Sequence, residues 1–195
     1  MKKLLIALGI VAFIILASFS WYVSVGNTLV SKDEAVKSSW AQVENVYQRR
    51  SDLIPNLVST VKGYASHEKE TLKAVIEARG QAVSGGSSHT LNPDNIKKFQ
   101  QSQDALSGAL SRLLVVVEKY PDLKANENFR DLQAQLEGTE NRIAVERKRF
   151  NEVAQDYNSY IRMFPQSFVA GMKGLTARAY FEAAAGSNQA PKVQF

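Results

Sequence analysis

The stretch NFRDLQAQLEGTENRIAVERKRFNEVAQDYNSYIRMF, residues 128–164, decides the fold class. Within it Phe129, Leu132, Leu136, Thr139, Ile143, Glu146, Phe150, Val153, Tyr157, Tyr160 and Phe164 follow one another at alternating steps of three and four. At 3.6 residues per turn, that alternation lines these side chains along one narrow face, as in bundles and coiled coils. The positions between them are mostly Arg, Glu, Gln, Asp and Asn, which suit the opposite, watered face. A strand would need alternation at period two, and no such run occurs.

Working outward, Ile96, Phe99, Gln103, Leu106, Leu110, Leu113, Val117 and Tyr120 repeat the pattern. So do Val36, Trp40, Val43, Tyr47, Ile54, Leu57, Val61, Ala65, Leu72, Val75 and Arg79, with steps of seven where a layer is polar. Ser84–Thr90 is a Ser/Gly loop leading into Asn92-Pro93-Asp94, a cap, a first-turn proline and an acid at the positive helix end. Tyr120-Pro121-Asp122-Leu123 is a tight connection, and Phe164-Pro165 stops the third stripe. Pro55 either kinks a long first helix or opens a new one after a break near Ser51-Asp52. Residues 165–185 read as a shorter final helix that packs through Phe168, Met172, Leu175, Ala179 and Phe181. Short connections make neighbouring helices antiparallel. The expected fold is all-α: a single N-terminal transmembrane helix, then an elongated up-and-down bundle of three long helices plus the shorter one.

The transmembrane expectation rests on Leu4–Val25, where all but Gly9, Ser18, Ser20 and Ser24 are apolar and none is charged. As a helix it spans roughly 33 Å, the thickness of a hydrocarbon core. Trp21 and Tyr22 stand at its far end, where amphipathic rings favour the water interface. Lys2 and Lys3 precede it, which favours a cytoplasmic N-terminus and places the bundle on the periplasmic side of the inner membrane. The competing reading is a cleaved signal peptide with its site at Ser18-Phe19-Ser20. The run continues beyond what a signal needs, so the segment is read as a retained anchor. The expected organisation is a cytoplasmic end at 1–3, anchor at 4–25, bundle at 26–186 and extended tail at 187–195.

The 195 residues hold no cysteine and two histidines, which excludes disulfides, thiolate metal sites and cysteine nucleophiles. His67-Glu68-Lys69-Glu70-Thr71 begins like a zinc-protease helix but lacks the second histidine, and His67 reads as a helix-surface residue. No nucleophile elbow or phosphate-cradling loop occurs. The chain is therefore expected to be no enzyme, with no cofactor, metal or small-molecule substrate. Beyond residue 25 it is barely basic, so nucleic acid is not an expected partner. Arg142, Arg147, Lys148 and Arg149 form a local basic face, read as solvated, with anionic lipid or an acidic partner as the alternative. Gly63, Gly108 and Gly138 fall inside predicted helices, where close helix approach would explain their cost.

The most distinctive segment is residues 48–58, with Arg49, Arg50, Asp52, Pro55 and Asn56. Arg50 falls close to the apolar stripe, where Glu140 or Glu146 of the third helix is in position to pair with it. That is a buried polar layer of the kind that fixes helix register. The alternative is a partner surface around Pro55. At the other end Pro191, Val193 and Phe195 suit an extended docking peptide, against the plainer reading of a frayed terminus.

Taken together these residues resemble the LemA family of membrane-anchored bacterial proteins. The likeness is carried by Asn27-Thr28-Leu29-Val30, by Arg49 to Val58, and by Val61-Lys62-Gly63-Tyr64-Ala65 with His67-Glu68. It continues through Tyr120 to Ala125, Arg149-Phe150-Asn151, Tyr157-Asn158, Phe164-Pro165, Tyr180-Phe181-Glu182 and Pro191 to Phe195. Gly26 stands where an aromatic often precedes the asparagine, and Phe150 where tyrosine is usual. The resemblance implies one membrane helix and a helical bundle, and supplies no catalytic residues or agreed activity. It also implies an association with membrane metalloproteases as envelope partners. The expected function is a self-associating, membrane-tethered scaffold or adaptor of the cell envelope, a homo-oligomer held on the lipid bilayer. The rival is a binding module recruiting an envelope partner through a bundle face or the tail.

Overall fold

A computed structural model describes residues 2–85 and 91–182. Six helices follow in order: α1 (Lys2–Tyr64), α2 (Lys69–Gly85), α3 (Pro93–Val117), α4 (Pro121–Ala125), α5 (Glu127–Arg162) and α6 (Gln166–Met172). No strand occurs among the described residues, so the chain is all-α. α1, α2, α3 and α5 run up and down as an antiparallel bundle in which α1 lies along α5 and α2 along α3.

α1 is one unbroken helix of 63 residues. It carries the apolar run, the only described helix long and apolar enough to cross a membrane, and then becomes a bundle helix without interruption. Residues 4–20 are exposed along their whole length, and burial begins at Val25 and Leu29. Pro55 sits inside α1, so of the two readings of that proline the long helix holds and there is no break near Ser51-Asp52. The first stripe divides at Ala65–Glu68, so the fourth principal bundle helix beside the three long ones is α2 and not the segment after Pro165. Buried Ala65 closes α1 with its N–H on the Val61 carbonyl at 2.8 Å, and the Glu68 N–H returns to the Ala65 carbonyl at 3.1 Å. This turn is tied to the α3–α5 connection: Tyr120 donates its hydroxyl proton to Glu68 at 3.0 Å, and the Asn126 amide donates to the Tyr64 oxygen at 3.0 Å. His67 is exposed in the turn, not on a helix.

The caps follow the sequence. Asn92 accepts from the Asn95 N–H at 2.8 Å with Pro93 in the first turn of α3. Asn126 does the same for Phe129 at 3.0 Å and starts α5 directly after α4. A methyl group added at Gly63, Gly108 or Gly138 would meet no neighbouring helix within 4 Å, so close helix approach does not explain them. The helix expected at 165–185 is short. α6 ends at Met172, and Gly174 with φ 65° turns the chain into an extended strap that reaches Glu182. Leu175, Ala179 and Phe181 do pack on the core, but Phe168 and Met172 are exposed. The loop centre at 86–90 and the tail at 183–195, with Pro191, Val193 and Phe195, lie outside the described residues.

Two hydrophobic cores stack along the bundle. Nearest the apolar run, Trp40, Tyr47, Phe99, Phe150, Tyr157 and Phe181 dominate, with Val25, Leu29 and Val36 below them. Farther away, Ile54, Leu57, Val61, Leu72, Val75, Leu106, Leu113 and Leu136 dominate, with Phe129 the one buried ring.

Candidate functional site: a buried arginine layer and a clamped strap

Between the two cores lies a polar layer built on Arg50. Its place is set by periodicity, because it falls on the α1 stripe between Tyr47 and Ile54. The side chain is 1% exposed. One terminal nitrogen donates to Glu140 of α5 at 2.5 Å and to the Ser107 hydroxyl of α3 at 2.8 Å. The other donates to the Gln103 side-chain oxygen at 2.6 Å and to the Gln103 carbonyl at 3.2 Å. Gln103 in turn donates its amide to the Ala82 carbonyl of α2 at 3.2 Å. The guanidinium also sits over the Tyr47 ring, 5.1 Å from its centroid. One side chain thus engages α3 and α5 directly and α2 through Gln103. A guanidinium suits this role because its rigid fork of donors can serve several acceptors in one plane. Of the two anticipated acidic partners, Glu140 is the one that pairs.

Pro55 explains a second contact. Proline has no N–H, so the carbonyl four residues back, on Ser51, loses its helical donor. Arg79 of α2 supplies one instead, donating from Nε to the Ser51 oxygen at 2.9 Å. Arg49, Asp52, Pro55 and Asn56 are exposed on α1, so the structure separates them from buried Arg50. Asp52 accepts from Gln48 at 2.8 Å. Beside the layer opens a cleft of about 350 Å³, lined by Glu44, Asn45, Tyr47, Gln48, Ser51 and Gln103 among others. Burial pushes the Tyr47 phenol above its ordinary range, opposed by Arg147 and Arg50. No cluster of three metal-ligating side chains occurs among the described residues. The layer's own chemistry is that of a hydrogen-bonded buried cation.

The strap is the feature that periodicity alone does not reveal. Asn158 of α5 accepts from the Arg178 N–H at 2.7 Å and donates to the Arg178 carbonyl at 2.8 Å. Asn151, two turns away, does the same to Phe181 at 2.8 and 2.9 Å. Gln100 of α3 repeats the pattern on Glu182 at 3.2 and 3.0 Å. Seven helical residues advance roughly 10.5 Å and three extended residues roughly 10 Å, so the spacing of the two asparagines matches that of Arg178 and Phe181. The Phe181 ring stacks on Trp40 at 5.7 Å and meets Phe150 edge-on at 5.5 Å. Arg147, read in sequence as part of a solvated basic face, instead covers Phe181 at 4.8 Å and donates to the Glu182 carbonyl at 2.8 Å.

Arg178 reaches from the strap to Asp33 of α1 at 2.5 Å, and Lys37 bridges to the same carboxylate at 3.0 Å. Burial pushes the Asp33 carboxyl up, but hydrogen bonds and charge from Arg178 and Lys37 more than offset it and hold it below the ordinary range. The signals for the strap were Asn151 and Asn158 on the stripe side of α5 at a spacing of seven. Without the extended conformation of 175–182, they read only as polar helix positions.

The chain is similar in sequence to several known proteins. Magnetosome protein MamQ of Magnetospirillum gryphiswaldense is 29% identical over 173 residues, and MamQ 1 of Paramagnetospirillum magneticum 25% identical over 174. Each match covers 80% of this chain but 64% of the relative, so this chain spans less than two thirds of their length. Protein LemA of Metamycoplasma hominis is 24% identical over 176 residues, 89% of this chain and 77% of its own. The family model for the LemA family matches residues 39–195, taking in the Arg50 layer, the clamping asparagines and the strap. By that match this chain belongs to the LemA family.

Proposed function

We propose that this protein is a non-enzymatic, membrane-anchored helical scaffold or adaptor of the bacterial cell envelope. The observation that carries the reading is the continuity of α1: the apolar run and a principal helix of the bundle are one rod. Such a rod holds a helical surface at a set height over the bilayer, which is positioning and not chemistry. Lys2 and Lys3 support an N-terminus in the cytoplasm and a bundle in the periplasm. Residues 1–3, 4–25, 26–186 and 187–195 then divide the work as cytoplasmic end, anchor, bundle and tail. Self-association into a homo-oligomer is part of the proposal, supported by the long exposed faces of α1 and α5.

Protease treatment of intact spheroplasts tests the topology: residues 26–195 are degraded if the bundle is periplasmic and protected if it is cytoplasmic. Crosslinking in native membranes tests self-association, with a strictly monomeric product counting against it. A second reading, recruitment of a membrane metalloprotease or other envelope protein through the tail, is supported by the strap, which binds in the extended form a docking peptide takes. Proximity labelling with and without Pro191–Phe195 separates the two: partners that vanish with the tail favour recruitment.

A further inference from the structure

Phe168 and Met172 lie one turn apart on α6, Phe164 lies in the turn just before it, and the three are 68%, 63% and 89% exposed. α6 also buries Val169 and Ala170 in the core that contains Val25 and Leu29. Tyr22 packs on that core, and the Lys173 side chain lies over Gly26, where a Cβ would meet it at 3.5 Å. α6 is therefore fixed beside residues 22–29 of α1, at the height where the apolar run ends. Other exposed apolar side chains of the bundle, such as Ile76, Val115 and Val145, are spread over separate helices. Isolated ones are normal, while a contiguous row next to an apolar segment marks an interaction surface. Arg162 and Lys173, both exposed, flank the row.

We propose that α6 is an interfacial helix, with Phe164, Phe168 and Met172 sunk into the headgroup–acyl boundary of the bilayer crossed by Leu4–Val25. Arg162 and Lys173 then meet the lipid phosphates, with their aliphatic stems along the apolar surface. The occupant is lipid because α6 packs where the apolar run ends and the side chains it leaves exposed there are apolar. The inference rests on the anchor reading above and adds to it: a single span is free to rotate about its axis, whereas a second point of contact fixes which bundle face looks along the membrane.

The absence of cysteine permits a direct test on the full chain in vesicles of phosphatidylcholine and phosphatidylglycerol. Single nitroxide labels are placed at Phe13→Cys in the span, Phe168→Cys in α6 and Val145→Cys on α5. Collision with oxygen is then compared with collision with a water-soluble nickel chelate. The expected result is bilayer depth at Phe13 and an oxygen-to-nickel ratio at Phe168 about threefold or more above that at Val145, as befits a side chain some 5–10 Å into the boundary. Met172→Cys repeats the measurement should the first label disturb α6. Bilayer depth at Phe13 with a water-like ratio at both α6 positions overturns this inference and leaves the anchor standing. A water-like ratio at Phe13 as well overturns both. Broadening between labels at Phe168 that disappears on dilution with unlabelled chain puts a second copy there instead of lipid, and also overturns it.

Discussion

The core beside the apolar run is made of rings, and the core beyond the Arg50 layer is made of aliphatic side chains. The difference follows from how many helices are present at each level. Far from the run, α1, α2, α3 and α5 surround the axis, and Leu, Ile and Val fill the space among four helices. Nearer to it, α2 has ended at Gly85 and α3 contributes only its first turns, through Ile96 and Phe99. Large rings and a docked strap occupy the volume that two helices fill elsewhere. The comparison teaches that the C-terminal strap is a structural member of one half and irrelevant to the other, with Arg50 standing at the boundary.

The strongest way to break the contrast is Trp40→Ala. It deletes the ring that touches Phe99, Phe150 and Phe181 together, at a cost of about 3–5 kcal/mol in a denaturant melt. Amide exchange should lose protection at 148–158 while residues 54–61 and 106–113 retain theirs; equal loss throughout means the halves are one cooperative unit. Arg50→Leu is next, costing about 2–3 kcal/mol because Gln103 is left buried with its acceptor unsatisfied. Glu140, 47% exposed, keeps its water and moderates the loss. Replacing Arg50, Gln103 and Glu140 together by leucine should recover most of that stability while loosening helix register, read as broadened side-chain NMR signals.

How much of this was legible in the sequence differs by element. The stripe from Phe129 to Tyr160 is α5, because long periodic runs leave no competing conformation. The division of the first stripe at Ala65–Glu68 was missed, because Pro55 is the visible candidate breaker while Ala65–Glu68 contains neither proline nor glycine. A proline within a helix is tolerated when something outside it satisfies the orphaned carbonyl, and Arg79 does so from a helix distant in sequence. The strap escaped for a related reason: Phe168, Met172, Leu175 and Ala179 step at helical spacing, but the asparagine clamps that hold the segment after Gly174 extended are a tertiary fact. In the polar layer Arg50 was readable from its place beside the stripe and its acidic partner only as one of two, Glu140 or Glu146, whereas Gln103 and Ser107 depend on the height at which α3 sits.

A smaller effect sharpens the first of these lessons. Arg79→Ala should cost about 1 kcal/mol, the worth of one hydrogen bond to a partly buried carbonyl. Adding Pro55→Ala should remove that cost, since alanine returns the helical N–H to Ser51. A double-mutant cycle with no coupling between the two positions contradicts the repair. The smallest effect concerns acid. Asp33 titrates lower in the fold than in the unfolded chain, so its contribution is present above its ordinary carboxylate range near pH 4 and lost as pH falls through the depressed value. Acidification through that window should loosen the strap, seen as faster exchange at 178–182. Asp33→Asn should remove that component of the pH dependence.

The unbroken passage of α1 through residues 25 and 26 has a mechanical consequence. With no hinge where the apolar run meets the bundle, the anchor proposed above makes the molecule a lever whose short arm is the apolar run. The arm from Gly26 to Tyr64 is roughly 58 Å long at 1.5 Å per residue. A change of about 10° in the tilt of the span, within the range that bilayer thickness imposes on such helices, swings the far tip sideways by about 10 Å. In a chain anchored as proposed, thickness of the membrane is thereby converted into the lateral reach of the bundle's outer end.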